Sequence, residues 1–122
     1  MSRLLLRNAR IARPDGTTVD GDLLCENGRI ARLGPTLNER ADETLDAQGQ
    51  LLLPGVLDAH VHFREPGKEY KEDLASGSRA AVRGGVTSFL EMPNTEPPTI
   101  TRATLADKLA RAAKKSVANY GF

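Results

Sequence analysis

The sequence predicts an α/β protein, with a β segment over residues 1–54 followed by parallel βα units over residues 55–122. Three observations point there. Short apolar runs alternate with turn residues in the first part, and Asn27-Gly28 sits between two of them, a dipeptide suited to a two-residue hairpin turn at positive φ. Pro54-Gly55 then interrupts the chain. Beyond it the pattern becomes strand, helix, strand, helix, which needs crossover connections and therefore parallel pairing.

Taken in order, "LLLRNARIARPDG" reads as a strand or strand pair with Asn8 at a turn, closed by Pro14-Asp15-Gly16. "DLLCENGRIARLG" is a hairpin about Asn27-Gly28, and "ETLDAQGQLLLPG" adds a strand, a Gly49 turn and a short apolar run. "VLDAHVHF" is the first strand of the second part. Residues 73–83 form a helix rich in small residues, stopped at Gly84-Gly85, where a left-handed C-cap calls for glycine. "VTSFLEM" is the next strand. After Pro97-Pro98, Thr101 can cap a helix running through "RATLADKLARAAKKSVA". Leu105, Leu109 and Ala112 recur there at i, i+4 and i+7, and Asp107 can pair with Arg111 one turn on. "NYGF" opens a third strand.

Composition narrows the function. A chain of 122 residues supports one modest domain, burying roughly two-thirds of its unfolded surface. Seventeen Lys and Arg against sixteen Asp and Glu leave a net charge of +1, which offers no electrostatic basis for binding nucleic acid or a membrane surface. Cys25 is the only cysteine, so an intrachain disulfide and a thiolate zinc cage are excluded. Its simplest role is that of a small apolar side chain. The three leucines after "MSR" are too few for a signal-peptide core or a membrane span, and the expected location is cytoplasmic.

The chemistry gathers in "DAHVHFREPGKEYKED". In a strand, residues at i, i+2 and i+4 share a face, so Asp58, His60 and His62 project together near the strand's C-terminal end. Two imidazoles separated by about 7 Å of backbone can converge on one zinc-like ion. The plain alternative is a pair of satisfied strand histidines. Context favours the metal, because both of the chain's histidines fall here and run directly into a loop dense in charge and turn residues. Asp58 reads equally as a carboxylate orienting an imidazole and as a strand-end polar group. Arg64 offers a planar donor fork for a substrate carboxylate, or else an ion pair with Glu65, Glu69 or Glu72. At the second junction, "LEMPNTEPPT", Asn94 could bind an oxyanion or amide, or serve as an ordinary turn residue. Two and a half βα units cannot close a barrel, which typically takes about 250 residues, so the chain reads as the front part of something larger.

The run from "LLPGVLDAHVHFREPG" to "MPNTEPPT" resembles the dihydroorotase family of the amidohydrolase superfamily. The resemblance implies an N-terminal β-sandwich segment at 1–54 and, at 55–122, the first βα units of a TIM (β/α)8 barrel left incomplete by this chain. It makes His60 and His62 zinc ligands, in a site holding one or two ions, and Arg64 and Asn94 binders of the carboxylate of dihydroorotate. The remaining ligands and a general acid/base aspartate are expected downstream, so no catalytic residue lies in this chain. The implied reaction is reversible hydrolysis of dihydroorotate to N-carbamoyl-L-aspartate in pyrimidine biosynthesis, with the 122-residue chain inactive by itself. A homodimer and association with aspartate transcarbamoylase are the implied protein partners. Two competing readings stand beside this one. The first is another cyclic amidase of allantoinase or hydantoinase type, against which Arg64 and "MPNT" argue. The second is a non-catalytic dihydroorotase-like structural partner of aspartate transcarbamoylase, against which the intact histidines argue.

Overall fold

A computed structural model describes residues 2–122. The fold is α/β, with a mixed N-terminal sheet and a second, parallel sheet flanked by helices in an unclosed arrangement of the TIM-barrel type. Two compact units meet in sequence at Pro54 and Gly55.

In the first unit, β1 (Arg3–Ala12), β2 (Thr18–Glu26), β3 (Arg29–Gly34), β4 (Glu43–Asp46) and β5 (Leu51–Leu52) form one sheet. Its order is β3-β2-β1-β4, with β5 also on β1, antiparallel between β1, β2 and β3 and parallel between β1 and both β4 and β5. The Asn27-Gly28 hairpin is present, with Glu26 opposite Arg29 and φ of 51° and 74° at the two turn residues. Asn8 makes no turn. Instead β1 continues through it as a bulge at φ 54°, with the register shifting between Leu6 and Ala9. The buried Asp22 carboxylate supports this bulge by accepting from the Asn8 and Leu37 backbone N–H groups at 3.0 and 2.9 Å. Leu5, Leu24 and Leu37 pack as one apolar cluster and Ala9, Ile11 and Leu23 as another, with Cys25 a half-buried, unbonded member of the second group's surroundings.

In the second unit, β6 (Val56–Val61), β7 (Val86–Glu91) and β8 (Asn119–Gly121) form a parallel sheet in that order, joined by α1 (Leu74–Arg83) and α2 (Arg102–Lys115). Asp73 and Thr101 cap the helices, each in a reciprocal capping box with the residue three positions on, Ser76 or Thr104. Gly84 ends α1 at φ −88°, and the left-handed position is the next residue, Gly85, at φ 88°. α2 stops at Lys115 rather than continuing to Ala118, because Ser116 turns extended and its hydroxyl donates to the Ala118 carbonyl at 2.8 Å.

The core on the helix-covered face is Phe63, Leu74, Phe89 and Ala112, with Val61, Tyr120 and Phe122 packed against it. Burying Phe89 and Leu74 contributes about 1.5–3 kcal/mol each. α1 sits flush on Phe63: a Cβ at Gly77 would lie 2.6 Å from the ring. Strand alternation then sends the residues between these core positions, His60, His62, Leu90 and Met92, to the opposite, open face. No described helix is long and apolar enough to cross a membrane.

Candidate metal and substrate site

The site assembles where β6 and β7 end side by side. Val61 pairs with Glu91, and the Met92 N–H donates to the Val61 carbonyl at 3.0 Å. The loops that follow are tied as well, since the Glu96 N–H donates to the Pro66 carbonyl at 2.9 Å. Gly67, at φ 97°, passes so close to the Glu96 carbonyl that a Cβ there would lie 2.1 Å from it. Two sequence-distant junctions thus become one surface.

On that surface His60 Nε2 and His62 Nε2 approach to 3.2 Å, with the rings 67° apart in plane. His62 Nδ1 meets Asn94 Oδ1 at 2.8 Å. Because an amide oxygen only accepts, this contact calls for a proton on His62 Nδ1, which in the neutral imidazole leaves the Nε2 lone pair facing His60. Two nitrogens each about 2.0–2.1 Å from one tetrahedral zinc lie about 3.3–3.4 Å apart, so the observed spacing and donor chemistry fit two ligands of one such ion. The set is incomplete, because no group of three or more His, Cys, Asp or Glu that could hold a metal occurs among the described residues.

Asp58 Oδ1 accepts from the His60 backbone N–H at 3.0 Å, and among the described residues no hydrogen bond joins it to an imidazole. Arg64 does not extend the strand. Its φ of 68° is left-handed, so the chain leaves β6 sharply and Arg64 no longer continues the His60, His62 alternation. Two of the three acidic neighbours weighed as ion-pair partners are engaged elsewhere, and among the described residues Glu72 makes no ion pair with Arg64. Glu65 bonds Lys115 and Leu74, and Glu69 accepts from the Gly67 N–H at 2.9 Å. Among the described residues the Arg64 guanidinium makes no ion pair, which leaves its donor fork available.

Three supporting residues escaped the sequence reading. Glu65, in "FREPG", is fully buried and accepts from Lys115 Nζ at 2.6 Å and from the Leu74 N–H at 3.1 Å, with Arg111 at 3.6 Å. Glu91 and Lys108, both fully buried, face each other at 3.1 Å, and Lys108 Nζ also lies 4.8 Å from the centre of the Phe122 ring. The ion pair is close, but its angles do not make a well-formed hydrogen bond. Burial raises the Glu91 carboxyl above its ordinary value, opposed by Lys108 and by the nearby Arg64 and Phe63 backbone N–H groups. Glu91 therefore lies beneath the segment that turns at Arg64. A signal existed: Lys108 falls three residues after Leu105 and four before Ala112, on the stripe that faces the sheet, while Leu109 is exposed.

Residues 51–122 match the family model of the amidohydrolase family, and the chain belongs to that family. More particularly, it is dihydroorotase- and hydantoinase-like. It is 47% identical over 95 residues to a dihydroorotase of Pediococcus pentosaceus, covering 78% of this chain and 22% of that one. It is 46% identical over 118 residues to a dihydroorotase of Pelobacter propionicus, covering 95% of this chain and 28% of the relative. In structure it is similar to the L-hydantoinase (dihydropyrimidinase) of Arthrobacter aurescens, with a TM-score of 0.90 at 28% identity, over 99% of this chain and 27% of that one. The chain thus spans about a quarter of the length of these relatives.

Proposed function

We propose that this chain supplies two metal ligands and the substrate anchors of a metal-dependent cyclic amidase, an enzyme that opens the amide of a small ring by hydrolysis. The observation that carries the proposal is the 3.2 Å approach of His60 Nε2 and His62 Nε2 at the C-terminal end of a parallel strand, where barrels of this type build their sites. His60 and His62 would hold zinc, together with ligands from outside this segment. When bound, zinc supplies a Lewis acid that polarises an amide carbonyl and acidifies water. The residues of this chain do the rest of what falls to it. Asn94 holds the His62 proton on Nδ1, and the Arg64 fork grips a ring-borne carboxylate so that the scissile amide is held at a fixed offset from the histidines.

Cyclic-amide hydrolysis as a class is better supported than any single ring. Dihydroorotate, opened reversibly to N-carbamoyl-L-aspartate, is the substrate we favour within it. Support comes from the dihydroorotase relatives and from an arginine free to pair with the carboxylate that this ring carries. A hydantoinase-type activity is the second reading, favoured by the structural likeness to L-hydantoinase. A hydantoin ring has no carboxylate of its own and gives Arg64 no partner.

The test is turnover of dihydroorotate and of a 5-substituted hydantoin by the zinc-loaded, full-length protein. Preferred turnover of dihydroorotate, with Arg64→Ala raising its KM, supports the favoured reading. Preference for the hydantoin transfers the assignment to the second, and turnover of neither of these nor of allantoin with zinc bound overturns the cyclic-amidase reading in favour of a non-catalytic partner role. The isolated 122-residue chain, with two ligands and no third among the described residues, is expected to show no turnover above background.

A further inference from the structure

We propose that Asn94 is a positioning residue for His62, with the two ends of one amide doing separate work: Oδ1 orients the metal ligand, and Nδ2 is left to meet the substrate. The inference rests on the reading of His60 and His62 as metal ligands.

The contact is short, 2.8 Å, and bridges 32 residues of sequence, so it forms only when the two strand ends are in register. Its base is stiff. The Thr95 and Thr99 N–H groups both donate to the Pro93 carbonyl at 2.9 Å. The buried Thr95 hydroxyl donates to the Pro97 carbonyl at 2.9 Å and lies 3.0 Å from the Thr99 hydroxyl. Asn94 is thus presented on a turn that is bonded to itself, and little freedom remains to be lost when its amide engages the ring.

The direction of that amide sets which nitrogen of a neutral His62 is ready to ligate. With Oδ1 toward the ring, the proton sits on Nδ1 and the Nε2 lone pair faces His60. With the amide reversed, Nδ2–H would donate to Nδ1, a neutral ring would carry its proton on Nε2, and a metal would have to displace that proton to bind there. A hydrogen-bond acceptor behind a ligating imidazole also raises its basicity, and removing such a partner typically costs roughly 10–100-fold in metal affinity.

Two substitutions separate the two ends. Asn94→Asp keeps an acceptor for Nδ1–H but has no donor and repels a carboxylate, whereas Asn94→Leu removes both. In the full-length protein, zinc affinity is measured by competition with a chelator, the His62 tautomer by its 15N chemical shifts, and folding by thermal unfolding. Asn94→Leu is expected to bind zinc about 10–100-fold more weakly, and Asn94→Asp within about threefold of the parent, with His62 still protonated on Nδ1. Both should lose binding of an anionic ring. Zinc affinity that is unchanged in Asn94→Leu, or that falls as far in a folded Asn94→Asp, overturns the proposal, as does an Nε2–H tautomer in the parent protein. If Asn94→Leu does not fold, the Asp variant and the parent tautomer decide. A parent that binds zinc but no ring substrate would sink the substrate reading while leaving this comparison intact. One that binds no zinc removes the metal reading and this inference with it, whatever the His62 tautomer.

Discussion

The carboxylate of Glu65 accepts a 2.6 Å bond from the ammonium of Lys115, fifty residues further along the chain. The same carboxylate accepts the Leu74 N–H in the first turn of α1, so one buried group ties the loop after β6 to both helices. It also raises the Lys115 ammonium above its ordinary value, chiefly through that hydrogen bond.

Glu65→Ala is expected to destabilise the protein by about 1–3 kcal/mol, because it strands the Leu74 N–H while Lys115 and Arg111, both part-exposed, regain water. Urea unfolding measures this, and an unchanged midpoint would contradict the role given to Glu65. Lys115→Met should cost less than Glu65→Ala, since Arg111 remains beside the carboxylate at 3.6 Å.

The Glu91–Lys108 pair has no such access to water. Lys108→Met alone should cost about 3–5 kcal/mol by leaving a buried carboxylate unpaired, and Glu91→Leu combined with Lys108→Met should recover most of that loss. Equal destabilisation of the single and double variants in denaturant would show that the charge is not the issue.

His60→Ala and His62→Ala are expected to abolish stoichiometric zinc in metal analysis of the full-length protein. Arg64→Ala should retain the metal and raise KM by about tenfold or more, the loss of one charge-assisted hydrogen-bonded contact. Zinc content unaffected by either histidine substitution would remove the metal assignment.

Asp73 caps α1, and hydrogen bonds from Ser76, first from its backbone N–H, hold the Asp73 carboxyl below its ordinary 3.8. A depressed carboxyl contributes stability that is present above its unfolded value and lost as the pH falls through its folded one. The parent should therefore lose stability below about pH 4 more steeply than Asp73→Asn, which caps without titrating. Superimposable acid-unfolding profiles would contradict this.

Much of the architecture was legible because its signals are local. Asn27-Gly28 dictates a hairpin through its tolerance of positive φ, the caps at Asp73 and Thr101 start the helices, and strand alternation brings His60 and His62 to one face. Asn8 forms a bulge where a turn was expected because it is supported from Asp22 and Asp46, residues a sequence window does not join to it.

By itself, then, the sequence determined the order of elements, the pairing of the two imidazoles and the chemical character of the site, since each depends on neighbours within a few residues. Only the tertiary structure decided that Asn94 stands behind His62, that Arg64 leaves the strand at a left-handed turn, and that Glu65, Glu91 and Lys108 are buried. The buried charges rest on the Glu91–Lys108 and Glu65–Lys115 pairs, 17 and 50 positions apart, where the loss of water around a charge must be offset by one particular partner, and that partner exists only once the strands and helices have packed.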